Sequence, residues 1–203
     1  MRGKTLGIVI PTRWEAKGVL QHFGFQKIVG GIWKAEVGHR PVFILISGVG
    51  REAARKAAGK LVAEGAKELV SMGFCGALVS TLKVGDLVTD RIATVDKPLR
   101  TPAERRALTE RANAVAVDME TQAVIEEGTR RGVPIHILRV VSDEFEDNLT
   151  PLFGPSGSFS AWSIAFHLLN PKVWPLAMKL KRQSQIAGKR LVEELGRFCE
   201  VPL

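Results

Sequence analysis

The chain of 203 residues has little cysteine and no long apolar run. Its two cysteines, Cys75 and Cys199, are far apart and have neither a CxxC pattern nor a neighbouring histidine. This excludes a disulfide framework and a cysteine zinc site, and it predicts free thiols in a reducing cytoplasm. No apolar stretch reaches the roughly 18 residues that a membrane-spanning helix needs. The apolar run behind the basic N-terminus is short and ends at Pro11, so we expect no signal peptide.

Acidic residues are outnumbered by basic ones, and the formal net charge is +8. Such an excess is typical of proteins that bind nucleic acid, an anionic membrane or an anionic substrate. The cations concentrate in residues 100–111 and 172–197. Neither segment has the interleaved aromatic residues of a single-strand binder or a known nucleic-acid motif. We interpret both as solvated helix faces and expect no nucleic-acid partner.

Apolar runs typical of strands alternate with stretches of helical periodicity. The predicted strands cover residues 6–10, 32–37, 41–46, 68–72, 87–89 and 135–141. Helices are predicted for residues 14–23, 51–66 and 119–131, from Thr101-Pro102 onward, and in a C-terminal segment of about 159–198 that breaks at Asn170-Pro171 and Trp174-Pro175. This alternation, without a repeat or linker, predicts a single α/β domain over residues 1–203. We expect a three-layer fold whose mainly parallel or mixed central sheet is flanked by helices.

Two apolar runs lead into carboxylates, Glu120 and Asp143. The residues between them read as one helix, so two parallel strands would bring both acids to the same sheet edge. Ligands bind at that edge in open α/β sheets. One acid would hold a substrate and the other would donate a proton. Taken singly, Glu120 is also explained by the helix dipole and Asp143 by a turn or cap.

A glycine-rich turn follows the predicted strand at 41–46. Its sequence GVGREA, at residues 48–53, matches the GxGxxG/A dinucleotide pattern, but the next strand lacks the acid that would bind the ribose. Glycines let a ligand approach the backbone, and the N–H groups of a helix start favour anions or polar atoms. The same segment is equally explained as a tight turn without a ligand. A nucleotide- or NAD-binding Rossmann-like module that cleaves no bond therefore stays open.

Four ordered motifs between residues 6 and 143 resemble those of the purine nucleoside phosphorylase and nucleosidase superfamily, which includes methylthioadenosine/adenosylhomocysteine nucleosidases. The sequence SGVGREAA at 47–54 is similar to the SGxGxxxA turn of that family, and GFCGAL at 73–78 with KVGD at 83–86 to its GxxG…KVGD segment. VDME at 117–120 resembles the ribose motif V-[ED]-M-E, and RVVSD at 139–143 the catalytic motif RxxSD. The resemblance implies cleavage of the N-ribosyl bond of a purine, adenosine-type nucleoside, by phosphorolysis or by hydrolysis.

Roles for individual residues follow from the same resemblance. Asp143 would act as general acid at the purine N7, and Glu120 would bind the ribose hydroxyls. Glu15 is the candidate for activating water. The remaining expected site residues are Met119 on the sugar face, Phe74 facing the base or packing in the core, Ser47, Gly48, Gly73 and Ser142, with Arg13, Arg51 and Arg139 as candidates for binding phosphate. No metal and no cofactor are implied, apart from inorganic phosphate as co-substrate of a phosphorolysis.

The stretch from 86 to 117 is shorter than in typical relatives. Together with the Asp-Met-Glu form of the ribose motif, it most resembles the hopanoid-associated phosphorylase branch, which acts on an adenosyl lipid. Either the substrate is bulkier or another subunit completes the pocket, and we expect a cytoplasmic homo-oligomer. Apolar residues within 159–180 run into Lys179, Lys181 and Arg182, a composition that suits an anionic membrane surface. A core or subunit-interface helix pair explains them as well.

Overall fold

The computed structural model describes residues 3–152 and 173–200, which form nine strands, five helices and two short 3-10 turns. The strands are β1 (Leu6–Ile10), β2 (Gln26–Lys27), β3 (Ile32–Val37), β4 (Arg40–Ile46), β5 (Glu68–Ala77), β6 (Leu87–Val88), β7 (Ile92–Thr94), β8 (Ala116–Asp118) and β9 (Ile135–Asp143). The helices are α1 (Arg13–His22), α2 (Arg51–Ala63), α3 (Pro102–Thr109), α4 (Thr121–Arg131) and α5 (Trp174–Glu200), and the 3-10 turns are Val29–Gly31 and Thr150–Leu152.

All nine strands belong to one mixed sheet. Its main order is β2-β3-β4-β1-β5-β8-β7, while β9 pairs with β5 and β6. The strands β4, β1, β5 and β9 run parallel, and β3 is antiparallel to β4. The predicted α/β fold with a mixed central sheet flanked by helices is confirmed.

The helices cover the two faces of this sheet. Along β1 the side chains alternate, so Ile8 and Ile10 pack in one apolar cluster with Leu191 of α5, whereas Val9 packs in another with Leu61 of α2. These five side chains are fully buried, and the burial of β1 on both faces explains why it is a continuous apolar run in the sequence. None of the helices in the described ranges combines the length with the apolar character that crossing a bilayer requires.

Capping boxes mark two helix starts, of which the sequence predicts the one at Thr101. Thr101 caps α3, with Pro102 in its first turn, and Glu104 completes a capping box. Thr12 and Glu15 form a second capping box at the start of α1. In the C-terminal segment, α5 begins at Trp174-Pro175, one of the two predicted breaks, because proline in the first turn loses no helical hydrogen bond. The remainder of that segment, residues 159–172, lies outside the described residues.

Two predictions about the central strands were wrong. The strand predicted over residues 68–72 is too short, since β5 continues to Ala77 and pairs with β9 along almost its whole length. The strands that lead to Glu120 and Asp143 are not parallel to each other, because β8 is antiparallel to β5 while β9 is parallel to it. Both acids still meet, because Gly76 of β5 pairs with Val117 on one side and with Asp143 on the other.

Candidate active site

A cavity of about 400 Å³ opens beside the carboxyl-terminal part of β5. Four carboxylates, those of Glu15, Asp118, Glu120 and Asp143, line it, and Asp118 is paired with the buried Arg139. Much of the remaining wall is apolar and includes Trp14, Val49, Phe74, Val95, Leu99 and Leu149. Such a cavity offers charged acceptors on one side and apolar contacts on the other, which suits a ligand that is part polar and part hydrophobic.

Glu120 is held at its position by two other elements. Its Oε1 accepts a hydrogen bond of 2.8 Å from the backbone N–H of Gly50, at the start of α2, and its Oε2 lies 3.5 Å from Nη1 of Arg139. The helix start predicted to favour an anion therefore interacts with the protein's own carboxylate. Burial raises the pKa of Glu120, against the opposing effect of Arg139.

Glu15 reaches the cavity because it occupies the first turn of α1. Its Oε2 accepts 2.9 Å and 2.6 Å hydrogen bonds from the N–H and hydroxyl of Thr12, and its Oε1 accepts a 2.8 Å bond from the N–H of Phe74. The side chain is buried, and burial raises its pKa. A buried carboxylate with a raised pKa is suited to act as a general base near neutral pH.

Asp143 ends β9 and faces two donors. Ser142 donates a 2.8 Å hydrogen bond from its hydroxyl to Oδ1, and Arg105 forms an ion pair with Oδ2. Arg105 comes from α3, is only 1% exposed, and also donates to the carbonyl of Ala77 at 3.1 Å. Its Nε has no hydrogen-bond partner among the described residues. A buried guanidinium therefore lies directly beside the predicted general acid.

Arg105 was missed in the sequence interpretation, which placed the whole segment 100–111 on a solvated face. That interpretation was wrong for this residue. Its neighbours Arg106 and Arg111 are exposed, as expected. The local pattern does not distinguish the three arginines, because the acid that pairs with Arg105 lies 38 residues further along the chain.

Arg139 lies behind the cavity and does not line it. The side chain is fully buried, with Nη2 3.0 Å from Asp118 Oδ2 and 2.9 Å from the hydroxyl of Ser71. Its Nε donates to the hydroxyl of Thr121 at 3.1 Å. These contacts, with the ion pair to Glu120, make Arg139 a positioning residue in this structure rather than an exposed phosphate ligand.

Six of the residues predicted for the site line the cavity: Glu15, Phe74, Met119, Glu120, Ser142 and Asp143. Ser47 and Gly48 lie outside it, and the hydroxyl of Ser47 donates to the carbonyl of Gly48. Gly73 lies between two site residues, since a Cβ there would be 2.8 Å from Glu15 Oε1 and 2.9 Å from Arg139 Nη1.

The other candidates for binding phosphate also lie away from the cavity. Arg51 pairs with Asp96 at 3.1 Å and donates to the carbonyl of Thr94 at 2.6 Å, and Arg13 is exposed on α1. In residues 3–152 and 173–200, no group of three or more histidines, cysteines, aspartates and glutamates is placed to hold a metal ion.

The fold and the cavity together define an α/β enzyme whose ligand site, lined by carboxylates, lies at the carboxyl end of a central parallel strand. The chain belongs to the phosphorylase superfamily, because the model of that family matches residues 5–89 and 90–153. This confirms the superfamily that the four motifs predict and identifies the protein as an enzyme of that superfamily.

Solved structures share the fold over nearly their whole length. A futalosine hydrolase of Helicobacter pylori is 19% identical, with a TM-score of 0.70 over 94% of this chain and 98% of that one. An S-adenosylhomocysteine nucleosidase from Streptococcus pyogenes, in complex with 5-methylthiotubericidin, is 17% identical, with a TM-score of 0.75 over 100% and 99% of the two chains. A comparison with curated protein sequences finds no match.

Proposed function

We propose that this enzyme hydrolyses the N-ribosyl bond of an adenosine-type purine nucleoside. The observation that carries the proposal is the convergence of Glu15, Glu120 and Asp143 on one cavity. Cleavage of a glycosidic bond passes through an oxocarbenium-like state that needs a proton donor for the leaving group, a base for the nucleophile and acceptors on the sugar hydroxyls. The three carboxylates match these three roles. Membership of the phosphorylase superfamily supports the same reaction class.

Each carboxylate has a defined part in the proposed reaction. Glu120 accepts hydrogen bonds from the ribose hydroxyls, and these bonds strengthen as positive charge develops on the sugar. Asp143 first takes up a proton from the solvent. The bond between C1′ and N9 then breaks with its electron pair going to the purine, and Asp143 transfers this proton to N7. Water forms the new bond to C1′ and gives its proton to Glu15. Arg105 stabilises the carboxylate that Asp143 leaves behind, because its guanidinium already pairs with Oδ2.

Hydrolysis fits this cavity better than phosphorolysis. A phosphate ion would need a cation free to bind it at the cavity, but Arg51, Arg105 and Arg139 are each paired with a carboxylate, and Arg13 does not line the cavity. The ionised form of Glu15 would also repel phosphate while it activates water. Phosphorolysis would instead require Arg105 to leave Asp143.

The apolar wall supports a substrate with a hydrophobic group on its ribose. Trp14 and Val49 line the cavity and are nevertheless 58% and 41% exposed, so they offer apolar surface toward its opening. An adenosyl lipid of the hopanoid type would cover this surface. A second subunit of a homo-oligomer would cover it too, and the expected oligomer stays a prediction that light scattering would test. We expect the enzyme to act in the cytoplasm.

The experiment is incubation with adenosine, 5′-methylthioadenosine and an adenosine bearing a 5′-alkyl chain, each with and without phosphate. We expect adenine and the free sugar, formed equally well without phosphate and fastest with the alkyl substrate. A sugar 1-phosphate, formed only in the presence of phosphate, would contradict hydrolysis. Binding of a nicotinamide cofactor without release of a base from any substrate would instead support the alternative of a nucleotide-binding module.

A further inference from the structure

The first half of α5 exposes large apolar side chains among cations. Trp174, Met178 and Ile186 are 55%, 65% and 54% exposed. The same stretch carries five basic residues, Lys179, Lys181, Arg182, Lys189 and Arg190, and residues 174–192 contain no aspartate or glutamate. The acids of the helix follow at Glu193, Glu194 and Glu200. We call Trp174, Met178, Lys181, Arg182, Ile186 and Lys189 the α5 surface.

Most of the α5 surface is separate from the face by which the helix packs on the domain, whereas Ile186 also lies close to the domain, at Gly85. At 100° per residue, its members lie in a sector of about 140° on one side of the helix. Ala187, Leu191 and Leu195 lie on another side and are fully buried in the core that contains β1. The buried side of α5 therefore holds the helix on the domain, and the side chains of the α5 surface are exposed to solvent.

Three cations of this surface are not neutralised by neighbours. Lys179 pairs with Asp147, and Arg190 pairs with Glu194. Lys181, Arg182 and Lys189, in contrast, make no ion pair with any described residue. The exposed apolar groups are therefore surrounded by uncompensated positive charge.

This combination identifies the kind of partner. A second copy of the chain bound through the same surface would bring like charges together, because a two-fold contact opposes each patch to itself. A nucleic acid would satisfy the cations and leave Met178 and Ile186 exposed. An anionic bilayer satisfies both, because apolar side chains enter the boundary between headgroups and acyl chains while lysine and arginine remain at the headgroups. We propose that the α5 surface binds an anionic lipid bilayer.

The contacts of Asp147 connect helix α5, beside the α5 surface, to the active site. Asp147 pairs with Lys179 and accepts a 3.0 Å hydrogen bond from Gln183, both of which lie on α5. Leu149, two residues further along the same loop, lines the cavity. Membrane binding would therefore place the cavity loop close to the bilayer. The proposal goes beyond the proposed reaction and does not depend on it.

The test is cosedimentation of the full chain with vesicles of phosphatidylcholine alone or mixed with phosphatidylglycerol. We expect binding only to the anionic vesicles, weakening as salt is added. Each neutralised cation should weaken binding about fivefold, so the triple variant Lys181→Gln, Arg182→Gln, Lys189→Gln should lose about a hundredfold. The double variant Met178→Ser, Ile186→Ser should also bind more weakly, although its charge is unchanged.

A matched control removes the same charge elsewhere, with Lys27→Gln, Lys56→Gln and Lys67→Gln on exposed positions outside the α5 surface. It should bind anionic vesicles nearly as well as the unmodified protein. Equal losses in the two triple variants would show that only net charge acts and would overturn the proposal. Absence of vesicle binding, or self-association abolished by the α5 substitutions, would overturn it as well. Base release in solution reports separately on the proposed function and should be unchanged in every variant.

Discussion

The pairing of Asp143 with Arg105 allows the role of the acid to be tested in a single substitution. Asp143→Asn keeps the size of the side chain and removes its charge and its acidic proton. Because positioned acids and bases contribute about 10²–10⁴-fold to reaction rates, kcat for base release should fall by that factor. KM should change much less, because Glu120 still holds the sugar.

The same substitution should also lower the stability of the fold, and the contacts that Arg105 retains limit this loss. Asparagine keeps one oxygen that accepts from the guanidinium, and the bond to the carbonyl of Ala77 at 3.1 Å remains. A charged acceptor is replaced by a neutral one, so the free energy of unfolding should fall by about 1–2 kcal/mol. Arg105→Met should cost more, about 3–5 kcal/mol, because it leaves a largely buried carboxylate without its cation.

The double variant Asp143→Asn, Arg105→Met separates catalysis from stability. Since both charges are gone, the double variant should be about 1–3 kcal/mol more stable than the sum of the two single losses predicts. Its activity should stay as low as that of Asp143→Asn, because the proton donor is still missing. Urea unfolding gives the stabilities, and chromatography of released adenine gives the rates.

Two outcomes would refute this reasoning. If Asp143→Asn kept base release within about tenfold of the unmodified enzyme, Asp143 would not be the general acid. If the double variant regained activity together with stability, the ion pair would be structural only, and another group would protonate the base.

Three further predictions follow from the same contacts. Burial raises the pKa of Glu15 and Glu120, and both act as carboxylates, so kcat/KM should decline as pH falls through values above the ordinary glutamate range. A decline that begins only at the ordinary glutamate pKa would contradict this assignment. Glu120→Gln should also lower kcat/KM about 10–100-fold, because the charged hydrogen bonds to the ribose are lost. Gly73→Ala should lower the free energy of unfolding by about 2–4 kcal/mol and impair activity, because the φ of Gly73 is +151° and a Cβ there would lie 2.8 Å from Glu15 Oε1. The control is Gly132→Ala, where φ is +66° and no atom of the described residues lies near the added Cβ. It should lower the free energy of unfolding, measured in urea, by only about 1–2 kcal/mol. Arg139→Met should lower the free energy of unfolding, measured by calorimetry, by about 3–5 kcal/mol, because the buried carboxylates of Asp118 and Glu120 lose their cation. A loss no larger than that of a surface ion pair would show that Arg139 does not stabilise these carboxylates.

Local signals in the sequence were sufficient for much of the fold. The sequence at 101–104 predicts the start of α3 because a threonine and a glutamate three residues apart satisfy the free N–H groups of the first turn. The apolar run of β1 predicts a strand buried on both faces. The direction of β8 was not predictable in this way, because it depends on how β5 continues past Gly73 and which strands then pair with Ala77.

The chain by itself determined the superfamily and six of the residues that line the cavity, since each motif is short and places its side chain through local backbone geometry. Only the tertiary structure decided what surrounds those side chains. Gly50 and Glu120 are 70 residues apart, and Arg105 and Asp143 are 38 residues apart. A local sequence pattern does not predict such pairs, because the two groups attract each other only after the sheet and its helices bring them within hydrogen-bond distance. For that reason Arg105 and Arg139 resembled surface or ligand-binding arginines in the sequence and became the buried partners of the active-site acids in the fold.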